Sequence, residues 1–155
     1  MFKIPYVKNI LSALAVAGFG FVLLGLTFLF NFLVFELIGL FVSEEFIATH
    51  QWEWFPIMRH ALFLVIIGLI SWPILRSKLG TLYKAIYMTV PLAVIFVTIG
   101  ILLYNWPIVP YLVGGLFTVG VLFYLYRTKQ PWLYYYTVIL VALSLMIFTL
   151  LGGEI

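Results

Sequence analysis

The sequence predicts an all-α, polytopic membrane bundle of five transmembrane helices with a cytoplasmic N-terminus and an external C-terminus. Three observations predict it. Hydrophobic residues make up 66% of the 155 positions and charged residues 8%, against about half and about a quarter in a soluble domain. The apolar residues fall into five runs, each at least close to the roughly 20 residues a helix needs to cross about 30 Å of hydrocarbon. The basic residues collect in alternate short loops, as they do when Lys and Arg are retained on the cytoplasmic side during insertion.

The expected spans are 9–42, 56–75, 83–104, 107–126 and 131–151, forming a single transmembrane domain over 1–155 with an outer loop at 43–57. The first run is overlong. Its 34 residues would make a helix of about 50 Å, so it must tilt, bend or project, and residues 34–46 are expected at or beyond the outer interface. It exceeds the apolar core of a cleavable signal peptide and contains no turn residues that would split it into a hairpin. It is read as one retained crossing. Pro91 lies inside the third run, where it removes a backbone donor, whereas Pro107 and Pro110 suit the start of the fourth.

Five crossings place Lys3, Lys8, Arg76, Lys78, Lys84, Arg127 and Lys129 on one side and only Arg59 on the other. Glu44, Glu45, Glu53 and Glu154 also fall on that other side. Trp52, Trp54, Trp72, Trp106 and Trp132 lie near span ends, where indole rings anchor in the headgroup zone. Tyr134, Tyr135 and Tyr136 point three ways at the start of the fifth span and read as part of the same aromatic girdle. The expected setting is a bacterial or archaeal cytoplasmic membrane.

The net charge of +3 is explained by loop topology and calls for no nucleic acid. With no cysteine and no aspartate, the chain offers no disulfide, thiolate site or Cys nucleophile, and it carries no nucleophile elbow or phosphate-binding glycine loop. No cofactor is called for; haem would need axial ligands in the bundle, and both histidines fall at its outer edge. No internal repeat of the transporter kind is present.

Glu36 is the one charge inside an apolar run, and such a carboxylate is costly to bury and therefore a functional candidate. At about 100° per residue, Gly18, Gly25 and Glu36 share a narrow arc of the first helix. Small residues on one stripe admit a close helix, so this face is expected to meet protein. Gly114 and Thr118 form a second small pair, in the fourth span.

A further cluster, His50, Glu53, Arg59 and His60, joins Glu36 at the outer end. His50 and Glu53, spaced i and i+3, with His60 as a third group, are the candidate metal ligands. The plainer reading is a solvated loop in which Arg59 pairs with Glu53 or Glu36. Thr89, Thr98, Thr118, Thr137 and Ser144 are expected to bond to their own helices' carbonyls.

These features favour a small non-catalytic accessory or assembly subunit of a larger membrane complex, with the bilayer and a membrane-protein partner or second copy as its contacts. Two alternatives are an oligomeric channel or transporter with Glu36 and the outer loop at its mouth, and a membrane metal-binding protein or enzyme using His50, Glu53 and His60.

Overall fold

The computed structural model describes residues 5–41 and 55–151. They form five helices: α1 (Pro5–Phe41), α2 (Phe55–Arg76), α3 (Thr81–Leu102), α4 (Val109–Arg127) and α5 (Trp132–Leu150). All five are long and apolar enough to cross a membrane. Helix is the only continuous element that satisfies every backbone donor and acceptor without water or a sheet partner, which suits sequences this apolar.

Contacts fix the relative directions. Val16 packs with Ala85 and Leu133, and Gly20 abuts Thr89, so α1 and α3 run parallel. Thr137 Oγ1 donates to the Ala85 carbonyl at 3.3 Å, which sets α5 parallel to them. Ser71 Oγ meets Tyr87 Oη at 3.1 Å, and Phe96 meets Phe117 edge-on at 5.4 Å. With Lys84 Nζ reaching the Leu75 carbonyl at 2.8 Å, these contacts set α2 and α4 antiparallel to α3. Successive helices therefore alternate up and down. Lys8, Arg76, Lys78, Lys84, Arg127 and Lys129 consequently gather at one end of the bundle, whereas Arg59 lies toward the other.

The connections explain where the helices stop. Lys84 Nζ caps the carbonyl end of α2, where a cation is also favoured by the helix dipole. The polypeptide turns between α3 and α4 through Trp106 N–H to the Leu103 carbonyl at 2.9 Å and Val109 N–H to the Trp106 carbonyl at 3.1 Å. Pro107 thus lies in the turn, two residues before α4, and only Pro110 occupies the first helical turn. α4 closes with Lys129 N–H to the Tyr126 carbonyl at 3.1 Å and Gln130 N–H to the Leu125 carbonyl at 3.0 Å. Lys129 adopts φ 50. That is a Schellman closure with lysine where glycine is usual. Pro91 is inside α3, as expected, and Pro73 is inside α2.

α3 is the hub, touching each of the other four helices. Its Ala85, Thr89 and Ala93 are buried and recur every four residues, forming a ridge of small side chains that lets α1 and α5 approach. In lipid the surroundings are as apolar as the interior, so close packing and interhelical hydrogen bonds hold helices together rather than hydrophobic burial. The bundle is built accordingly: Ser71, Thr89, Thr98 and Thr137 are buried, while leucines, phenylalanines and tyrosines cover the outside. Thr98 donates to the Val94 carbonyl at 2.7 Å and Thr118 to the Gly114 carbonyl at 2.8 Å, bonds of the kind expected from the sequence.

α1 spans 37 residues, about 55 Å at the usual rise per residue, whereas α4 and α5 have 19 each. It outruns its neighbours, as its overlong apolar run predicts.

Candidate functional site

α1 presents two distinct faces. Val16, Gly20, Leu24, Thr27 and Asn31 share an arc of about 80° at 100° per residue. Val16 and Gly20 are buried and the other three half-buried. A methyl built on Gly20 would come 2.7 Å from Thr89 Cγ2, so only glycine allows this approach. The stripe of Gly18, Gly25 and Glu36 lies about 150° round the helix from the centre of that arc. All three residues are exposed, and a Cβ on Gly18 or Gly25 would meet nothing within 4 Å. The stripe expected from the sequence forms a surface that no other helix covers among the described residues.

A cleft of about 1070 Å³ opens between α1, α3 and α5. Its walls are almost wholly apolar, with Thr89, Ser144 and His60 as the polar side chains. It extends along α1 from Val16 to Phe28 and along α3 from Thr89 to Ile101, about 18 Å at 1.5 Å per residue. That is close to the hydrocarbon depth of one leaflet, about 15 Å. The cleft lies in the half of the bundle away from Lys8, Arg76, Lys78, Lys84, Arg127 and Lys129, the half toward which Arg59 lies.

Beside it lies a second pocket of about 40 Å³, lined by Thr27, Asn31, His60 and Thr98 among apolar neighbours. His60, Leu24, Phe28, Ala93 and Val97 border both spaces, so the two are contiguous. Thr27 donates to the Leu23 carbonyl at 2.8 Å and Thr98 to the Val94 carbonyl at 2.7 Å. Their hydroxyl protons are already engaged. Asn31 Oδ1 is shut off from solvent and accepts no hydrogen bond among the described residues, a costly state for a buried amide oxygen.

His60, expected at the outer edge, turns its ring into the bundle. It is half-buried and packs edge-on to Phe35 with centroids 6.1 Å apart. Arg59 lays its guanidinium over the same ring, 4.0 Å from the centroid, and is taken up by Phe35 instead of by Glu36. Phe35 also meets Phe63 at 6.5 Å, so aromatic contact joins α1 to α2 here. Gly114 packs against Phe96, whose Cε1 would be 3.5 Å from an added Cβ. Thr118 bonds within α4. His50 and Glu53 lie outside the described residues, as does most of the 43–57 loop, and so does any pairing of Arg59 with Glu53. Among the described residues no three His, Cys, Asp or Glu side chains come together to hold a metal.

No family model, curated protein or solved structure matches the chain.

The residues that build the pocket were not all visible from the sequence. Asn31 is the only amide side chain in the outer half of α1, and with Thr27 it repeats on the arc of Val16 and Gly20. That arc was the available signal. It was obscured because the rest of α1 is uniformly apolar, leaving two glycine-bearing faces that composition alone does not rank.

Proposed function

We propose that this chain is a five-span integral membrane protein, N-terminus cytoplasmic and C-terminus external, that serves as a non-catalytic accessory or assembly subunit in a larger membrane complex. The observation that carries the reading is the uncovered stripe of α1. A Cβ on Gly18 or Gly25 would meet nothing within 4 Å among the described residues, and Glu36 stands exposed on the same face. Glu36 belongs to the apolar stretch Tyr6–Leu37, and ionisable groups in such stretches face protein or a water-filled cavity rather than lipid. A partner helix seated on the stripe would approach the backbone closely and supply a polar neighbour for the carboxylate.

The orientation rests on the end of the bundle where the basic residues gather, with Arg59 as the exception. The interior supports a structural role better than transport by a single chain, because among the described residues the cleft walls between α1, α3 and α5 carry no carboxylate, lysine or arginine.

Purification in mild detergent followed by mass spectrometry tests the reading. A partner in fixed stoichiometry is expected, and Gly18→Leu should release it while the chain stays folded. Recovery of the lone chain, or a partner indifferent to Gly18→Leu and Glu36→Gln, would remove the stripe from the assembly.

A further inference from the structure

We propose that the cleft and its side pocket together form a binding site for an uncharged long-chain alcohol, with the chain in the cleft and the hydroxyl at Asn31 and His60. The inference stands on the interior of the bundle; of the α1 stripe only Gly25 borders the cleft, whereas Gly18 and Glu36 do not.

The shape sets the tail. The cleft is apolar and about 18 Å long by helical rise, and its volume of about 1070 Å³ is at the upper end of ordinary ligand sites, about 300–1,000 Å³. An extended or branched hydrocarbon fits a space of that form.

The side pocket sets the head. Its volume of about 40 Å³ compares with the roughly 10–15 Å³ that one water requires, so it admits a hydroxyl with a carbon or two and no sugar or phosphate. Among the described residues neither space is lined by lysine or arginine, so a phosphate or carboxylate would enter without a counter-charge from the walls, at high desolvation cost. The guanidinium nearest by sequence, that of Arg59, lies over the Phe35 ring.

The unpaired amide sets the chemistry. Asn31 Oδ1 has no donor among the described residues, and Thr27 and Thr98 commit their protons to carbonyls of their own helices. A ligand hydroxyl donates to one group and accepts from another. It therefore satisfies the Asn31 amide in either orientation, and it can bond to the His60 ring as well. A ketone or ester head, which only accepts, would leave Oδ1 unpaired.

The test uses the full chain in detergent micelles, with radiolabelled oleyl alcohol as the probe and oleate and dioleoylphosphatidylglycerol as competitors. Saturable binding of the alcohol is expected, with weak competition from both anions. Asn31→Leu should weaken it about 3- to 10-fold, the range for loss of one hydrogen bond. Its melting temperature should hold or rise, because an unpaired buried polar group is removed. Ser144→Phe, which places a ring in the cleft from α5 without touching the head pocket, should abolish binding. Three results would each overturn the site: no saturable binding, competition by either anion as strong as by the alcohol itself, or binding unchanged in Ser144→Phe. If Asn31→Leu fails to fold, Asn31→Ala replaces it, and unchanged affinity in the folded variant overturns the role of the amide.

Discussion

Gly20 and Thr89 meet so closely that a single methyl on the glycine would lie 2.7 Å from Thr89 Cγ2 and 3.3 Å from its Oγ1. Thr89 is almost completely buried and is tied by its hydroxyl to the Ile86 carbonyl at 2.7 Å, so it cannot easily swing aside. The α1–α3 contact is set at this point.

Gly20→Ala should therefore destabilise the chain by about 1–3 kcal/mol, the usual cost of overpacking. Gly18→Ala should have no such effect, since its Cβ enters open space. Adding Thr89→Ala to Gly20→Ala should recover most of the loss. Reversible unfolding in mixed micelles, followed by circular dichroism, compares the three.

Thr137 bonds both within α5, to the Leu133 carbonyl at 2.9 Å, and across to the Ala85 carbonyl of α3 at 3.3 Å. Interhelical bonds in membrane proteins contribute about 0.6 kcal/mol on average and up to about 1.7. Thr137→Val should lose an amount in that range. Thr118→Val removes a bond confined to α4 and should lose less. The same unfolding assay separates them.

Lys129 holds φ 50 at the end of α4, in the left-handed region that costs a residue with a Cβ about 1–2 kcal/mol. Lys129→Gly should therefore raise stability by about 1 kcal/mol, measured as a shift of the unfolding midpoint. An alanine at the same position should not.

Sidedness can be read directly because the chain has no cysteine. Lys78→Cys and Lys129→Cys should resist a membrane-impermeant maleimide added to intact cells, and Asn105→Cys should react. Labelling of Lys78→Cys from outside, with Asn105→Cys protected, would reverse the proposed orientation.

The helices were legible because apolar runs of spanning length are separated by residues that end helices. Gly80, Pro107 and Pro131 mark breaks that the backbone uses, and the boundaries moved by only a few residues. α3 ends at Leu102 and α4 begins at Val109 because two turn hydrogen bonds around Trp106 take up the intervening residues.

The faces were much less legible. In a helix apolar all round, periodicity does not rank Gly20 above Gly18, and the choice is made by Thr89 on another helix, 69 positions further along the chain. His60 was similarly opaque. Its proximity to a polar loop places it toward the outer end, but the sequence does not show that its ring packs on Phe35 and borders the cleft. Asn31 is likewise hard to rank from the sequence, because the only carboxylate in α1, Glu36, lies on the opposite face.

The most direct test of the assembly role is photocrosslinking in living cells from a benzoylphenylalanine placed at Gly18, with the exposed Leu116 of α4 as the control position. The account predicts a discrete adduct of one mass from Gly18, lost when Gly25→Leu and Glu36→Gln are added, and none from Leu116. Lipid adducts alone from Gly18, at the level seen from Leu116, would contradict it.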